Sequence, residues 1–187
     1  SIANLLEETG YEVFRDNHLG DWGTQFGKQI YALRHLGEGS LEANIKKISQ
    51  SDNPVKELVA LYVDFHRKAE EKPEMEDEAR AIFKALEDGD QEARELWQKC
   101  IDWSFVEVDR IYTKLGVNCT ENNGRGYGES YFEDKMAIVI KELEEKANST
   151  GVINYEEGEK GAKLVTFPEK SKLPPAMILK SDGATLY

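Results

Sequence analysis

At 187 residues with 40% hydrophobic content, the chain has the size of one domain, or of one domain with a large insertion, and can bury a core. A third of its residues are charged and the formal charge is −12, which implies a heavily solvated surface that repels phosphate and argues against a nucleic-acid-binding module. No run approaches the roughly 18 apolar residues of a spanning helix, and no signal-peptide core is present, so the reading is of a soluble, non-membrane protein.

Ile2, Leu5 and Leu6 follow helical spacing, with Gly10 placed to end that helix. The helix is met partway, with no initiating methionine, which leads us to expect a piece of a longer chain. Tyr11 to Arg15 reads as a short strand. It runs into the loop Asn17-His18-Leu19-Gly20-Asp21-Trp22-Gly23, after which Phe26, Ile30, Leu33 and Leu36 predict a second helix. A strand, a glycine-bearing turn and a helix put that turn at the C-terminal edge of a sheet, where open α/β folds bind ligands.

From about residue 40 to 148 the chain reads as charge-rich helices. Leu41 to Ser49 makes one, and Pro54 after Asp52-Asn53 opens another through Val55, Leu58, Tyr62 and Phe65. Pro73 separates this from a third helix with Ala79, Ile82, Phe83 and Leu86. Gly89-Asp90 starts a long fourth, carrying Leu96, Trp97, Cys100, Ile101, Phe105, Tyr112 and Leu115 up to a stop at Gly116. The three- and four-residue spacing of its aromatics is that of a buried stripe rather than a ligand-stacking row.

Val117 to Thr120 reads as a further short strand. Residues 122 to 128, with three glycines, read as a flexible loop that lacks the ending of a phosphate-binding loop. Glu129 to Lys146 predicts an amphipathic helix. Val152 to Tyr155 and Lys163 to Phe167, around Gly158 and Gly161, read as a hairpin. Pro174-Pro175 marks a linker, and Ala176 to Lys180 a last strand before the turn Ser181-Asp182-Gly183. Sheet-like pieces therefore flank a helical block of about a hundred residues, as in an α/β layer interrupted by an insertion.

Few side chains invite a chemical role. Cys100 and Cys119 lack metal-ligand spacing, and Cys100 falls on an apolar helical stripe as a buried hydrophobe. Glu129, Glu133 and Asp134, and the pair Glu156 and Glu157, are neighbours of the kind that arise often among 36 acidic residues; they read as solvated faces. His18, Asp21, Trp22 and Gln25 share the turn after the first strand, able to aim an imidazole, a carboxylate and an amide at a ligand. The plainer reading, favoured by spacing alone, has Asp21 capping the next helix and Trp22 packing inward.

The run Asn17-His18-Leu19-Gly20-Asp21-Trp22-Gly23-Thr24-Gln25-Phe26-Gly27 resembles the N-H-x-G-D-W-G-T-Q-F-G signature of arginyl-tRNA synthetases. Further stretches resemble the family in its own order: Leu96-Trp97 through Tyr112 and on to Leu115-Gly116-Val117; Gly128-Glu129-Ser130 with Asp134-Lys135-Met136; and Leu173-Pro174-Pro175 with Leu179-Lys180-Ser181-Asp182-Gly183 and Leu186-Tyr187. The resemblance implies an internal piece of a class I aminoacyl-tRNA synthetase catalytic domain. The implied fold is α/β: a partial Rossmann-type parallel sheet interrupted by a large, mainly helical connective insertion with a small β-hairpin. On that division residues 1–38 belong to the core, 39–172 to the insertion and 173–187 to the returning core.

The implied activity is activation of arginine with ATP, with Mg2+, and transfer to tRNA in the cytoplasm. The HIGH-type and KMSK-type motifs that stabilise the reacting phosphates are absent from the 187 residues, so the piece alone is expected to be inactive; the first is expected just before Ser1 and the second beyond Tyr187. The resemblance makes Tyr187 an arginine-contacting residue, and Asn17, His18, Asp21, Trp22 and Gln25 pocket-edge residues; no catalytic or metal-binding residue is expected. A sheet missing neighbouring strands is expected to self-associate or to pair through its edge. Two other readings are an acidic helical protein-interaction module without catalysis, and an editing or tRNA-contacting insertion, for which a basic surface is missing.

Overall fold

The computed structural model describes residues 2–151 and 153–180, and the chain divides into two compact units, Ser1–Tyr127 and Gly128–Tyr187. The first unit is helical: α1 (Ile2–Glu8), α2 (Thr24–His35), α3 (Leu41–Ser49), α4 (Pro54–Ala69), α5 (Glu74–Glu87) and α6 (Gln91–Leu115). Polar residues ahead of three of these helices take up N–H groups that the first turn leaves unpaired. Ser40 Oγ accepts from Ala43 N at 3.2 Å, Asn53 Oδ1 from Lys56 N at 3.0 Å, and Asp90 Oδ1 from Ala93 N at 2.9 Å. Pro54 occupies the first turn of α4, where its missing N–H costs nothing. At the other end of α6, Gly116 adopts the left-handed conformation (φ 65°), and Val117 N returns to Tyr112 O at 2.9 Å.

Helix α2 is central, packing against α3, α4, α5 and α6. Its Ile30, Ala32 and Leu33 are fully buried, as are Phe65 of α4 and Leu86 of α5. Burying side chains of the Leu, Ile and Phe class contributes about 1.5–3 kcal/mol apiece, and such contributions hold the bundle against its charge. One polar group sits inside this packing. Asn44, on α3, donates to Leu33 O at 2.9 Å and Leu36 O at 2.7 Å and accepts from Glu38 N at 3.0 Å. It thereby satisfies carbonyls at the C-terminal end of α2 that the helix itself leaves open.

In the second unit, a 3-10 segment Glu129–Lys135 leads into α7 (Met136–Thr150), so the single amphipathic helix read from the sequence is tightened over its first turns. The expected hairpin is present: β1 (Asn154–Glu157) pairs antiparallel with β2 (Lys163–Thr166), placing Tyr155 opposite Val165. The last expected strand is β3 (Ala176–Leu179), antiparallel to β2 with a register shift at Lys163/Leu164. Val165 and Ala162 are the buried side chains beside this small sheet.

The described residues are thus mostly helical with one small antiparallel sheet, and they contain no parallel sheet of Rossmann type. Tyr11 to Arg15, read as its first strand, is extended but not part of a ladder. Arg15 O accepts from Thr120 N at 2.9 Å, while Arg15 N donates to the Thr120 hydroxyl at 3.0 Å rather than to a backbone carbonyl. A strand needs a neighbouring strand to take its alternate N–H and C=O groups, and Val117 to Thr120 supplies one such point of contact and no more. No helix among the described residues is long and apolar enough to cross a membrane.

Candidate functional site

The turn from Asn17 to Gly27 has almost no secondary structure of its own until α2 begins, and its shape is imposed from outside. Its second half is bolted to the bundle. The Trp22 ring meets Phe83 of α5 edge-on with centroids 5.6 Å apart and Trp97 of α6 at 5.5 Å, and the Arg94 guanidinium lies over it at 4.9 Å. Trp97 Nε1 donates to Asp21 O at 2.8 Å, so α6 holds the turn by backbone as well as by ring. Gly27 lies where α2 crosses α5 so closely that an added methyl would overlap the Ala79 carbonyl and the Phe83 side chain.

The first half is held by the segment after α6. Asp16 Oδ1 accepts from both Asn17 N and Tyr127 N, each at 2.8 Å. His18 Nδ1 lies 3.0 Å from Tyr127 O, and Asn17 Nδ2 donates to the Tyr112 hydroxyl at 2.9 Å. Gly126 (φ 76°) passes so near the Asn17 backbone that no Cβ fits.

The five expected pocket-edge residues therefore divide. Asn17 and His18 face the 122–127 segment, and His18 is exposed. Asp21 is half-buried and does not cap α2; the cap is Gly23, with no side-chain bond. Trp22 packs into the bundle. Gln25 donates to Trp22 O at 3.0 Å and, with Phe26, lines a cleft of about 320 Å3 completed by Gln29, Val55, Leu58, Val59, Tyr62, Cys100 and Ser104. Tyr187, the expected arginine contact, lies outside the described residues.

That cleft is lined mostly by apolar groups. Gln29 donates to Leu58 O at 3.2 Å and Ser104 to Cys100 O at 2.8 Å. Burial pushes the Cys100 thiol up to about 12, so it is neither a nucleophile nor a metal ligand at neutral pH. Among the described residues, no group of three or more His, Cys, Asp or Glu side chains is placed to hold a metal ion.

Residues to which the sequence reading assigned no part in the turn do much of the holding: Asp16, Tyr112, Arg125, Gly126 and Tyr127. Arg125 pairs with Asp102 of α6 at 3.0 Å and stacks over Phe105 at 4.5 Å, which pins the glycine-rich segment to the helix. Apart from those of Arg125, which lie on α6, their partners are roughly a hundred residues away, and no local pattern announces such contacts.

Comparison with known proteins gives this arrangement a family. The chain is 48% identical over all 187 residues to the arginine–tRNA ligases of Enterococcus faecalis and Streptococcus suis, and 46% identical to that of Clostridioides difficile. The whole chain is covered in each case, and it spans 30% of the length of each relative. The model of the family described as tRNA synthetases class I (R), catalytic domain, matches residues 1–187. With every residue inside that match, the chain belongs to the family of class I tRNA synthetase (R) catalytic domains.

Proposed function

We propose that these residues form part of an arginine–tRNA ligase, an enzyme that activates arginine with ATP and transfers it to tRNA. The observation that carries the proposal is the similarity over all 187 residues to proteins named arginine–tRNA ligase. The chemistry is adenylate formation followed by acyl transfer. It needs positive groups on the reacting phosphates and a carboxylate for the guanidinium, which a planar fork recognises in bidentate fashion. The 187 residues hold neither the HIGH-type nor the KMSK-type motif, so both steps require groups outside them.

Within the chain, Tyr187 is assigned to the arginine, and Asn17, His18, Asp21, Trp22 and Gln25 to the rim or support of its pocket. Residues 1–38 and 173–187 are assigned to the Rossmann-type core, and 39–172 to the connective insertion. On this reading, Tyr11 to Arg15 is a strand of a parallel sheet whose neighbours lie elsewhere in the protein. ATP enters as a substrate and brings Mg2+ on its phosphates. A charge of −12 gives this segment little to hold tRNA phosphates with, so tRNA affinity is assigned to other parts of the protein. The protein is placed in the cytoplasm. Self-association through an open sheet edge belongs to the same proposal, and sedimentation of a monomer at high concentration would remove it.

The test is arginine-dependent exchange between ATP and pyrophosphate, in the presence of tRNA, by a longer protein that contains this segment. Exchange that requires arginine and is lost in the isolated 187 residues supports the reading. Absence of exchange in the longer protein overturns it and would return attention to an acidic interaction module.

A further inference from the structure

Gln29 lines the cleft between α2, α4 and α6 and is only 9% exposed, among side chains that are mostly apolar. Its amide nitrogen is committed, donating to Leu58 O at 3.2 Å. Its amide oxygen accepts from none of the described residues, and no side-chain nitrogen or oxygen among them is both sealed from solvent and without a partner. Gln29 Oε1 therefore opens into the cleft that the residue lines. Ser104 gives its hydroxyl proton to Cys100 O at 2.8 Å, so its oxygen can only accept from a ligand. Gln25, exposed at the mouth, turns its own nitrogen to Trp22 O at 3.0 Å. The cleft thus offers mainly acceptors to whatever enters, and an N–H or O–H donor is what it calls for.

None of the lining residues is charged. A guanidinium or a phosphate would give up its hydration there with no opposite charge in the lining, so the ligand is neutral, which excludes arginine and the phosphates of ATP. The rings of Phe26 and Tyr62, with Leu58 and Val59, form walls that suit a flat apolar body. The volume of about 320 Å3 falls within the roughly 300–1,000 Å3 of small-molecule sites. We propose that this cleft is a binding site for a small neutral aromatic molecule carrying an N–H donor, of the size and chemistry of an indole, with Gln29 Oε1 accepting from the N–H. A ligand of the same shape without the donor would shut water away from Gln29 Oε1 and leave it unpaired in apolar surroundings, a loss that separates the two by about tenfold. The site does not depend on the ligase assignment.

Titration of the 187-residue chain with indole, followed by nitrogen-15 and proton chemical shifts, tests the site directly. Benzofuran, in which an oxygen replaces the N–H in nearly the same shape, is the control. Saturable shifts are expected at the Gln29 side-chain amide and at the Val59 and Ser104 backbone amides, with indole bound about tenfold more tightly than benzofuran. Gln29→Met keeps the length and the apolar stem of the side chain but lacks the acceptor. It should weaken indole about tenfold and leave benzofuran as it was. Val59 is 54% exposed, so Val59→Trp leaves the core alone while crowding the mouth, and should weaken both compounds. Absence of saturable shifts at these residues up to the solubility of indole overturns the proposal. So does equal affinity for indole and benzofuran, or an indole affinity that either substitution leaves unchanged. The readout uses neither ATP nor arginine, so its failure leaves the ligase assignment standing, and failure of arginine-dependent exchange leaves the cleft standing.

Discussion

Replacing Gly27 by alanine sets two physical effects against each other. In the middle of a helix, alanine is favoured over glycine by about 1 kcal/mol, because it restricts the unfolded chain and stabilises the helical backbone. On that ground alone G27A should stabilise the protein. The structure puts the new methyl onto the Ala79 carbonyl oxygen and against the Phe83 side chain, at the crossing of α2 with α5. Overpacking of a close-packed interior costs about 1–3 kcal/mol, and the upper end applies because a helix carbonyl cannot swing aside as a flexible side chain can. The two helices must separate, and Trp22 loses its seat on Phe83. The net expectation is a loss of about 2 kcal/mol, which at a urea m-value of about 2 kcal/mol/M lowers the unfolding midpoint by about 1 M. Urea titration followed by far-UV circular dichroism measures it. A G27A midpoint equal to or above that of the unsubstituted chain would refute the close approach of α2 and α5.

Other substitutions probe the same construction. Trp97→Phe keeps most of the packing but removes the N–H to Asp21 O, and is expected to cost about 1 kcal/mol by the same titration. Asn44→Leu leaves the carbonyls of Leu33 and Leu36 and the Glu38 N–H without their partner inside the protein, so a loss of about 3 kcal/mol is expected despite the added apolar volume. At pH 8, Cys100 should react with a thiol reagent about a thousandfold more slowly in the native chain than in urea, because a pKa of about 12 leaves so little thiolate; equal rates, read by peptide mapping, would contradict its burial. Lys68 and then Arg67 hydrogen-bond to Asp64 and hold its carboxyl below the usual carboxylate range, so the stability it contributes is present above the ordinary pKa of about 3.9 and lost as pH falls through the lowered one. Asp64→Asn should therefore cost about 0.5 kcal/mol at neutral pH and nothing in strong acid, as thermal unfolding across pH would show.

The helices were legible because their signals are local. Asn53-Pro54 and Asp90 act as caps where the sequence placed helix starts, and Gly116 ends α6 where the apolar stripe stops. The hairpin of β1 and β2 was legible for the same reason, since its turn and both strands lie within a few residues of one another. Tyr11 to Arg15 has strand-like composition but is in no ladder among the described residues, because strand formation depends on a partner that residues 11–15 do not specify. Residues 122–128 read as a flexible glycine loop, and nothing within them signals the contacts that they make. Their glycines do permit unusual backbone, but what orders the segment is Asp16 at a separation of 111 residues and His18 at 109. No periodicity within a loop announces such a contact. Trp22 illustrates a different ambiguity: the same indole suits a pocket wall or a packed core, and only the edge-on contacts with Phe83 and Trp97 decide for packing.

These contacts also change what the eleven-residue signature means physically. Gly20 to Gly27 contains the residues that dock on α5 and α6 beside Phe83 and Trp97, whereas Asn17 bonds farther along α6 at Tyr112 and His18 lies at Tyr127. The helical block and the turn are thus one mechanical unit within Ser1–Tyr127, since Trp22, Gly27 and Asp21 each depend on a side chain or carbonyl from that block. An acidic interaction module would leave no reason for a tryptophan, two glycines and a phenylalanine to be spaced so as to seat a turn with little hydrogen bonding of its own. On the proposed assignment of this turn to the rim of a pocket, a block that holds it still serves the site, because an error of about an ångström in such a turn is enough to lose a reacting geometry.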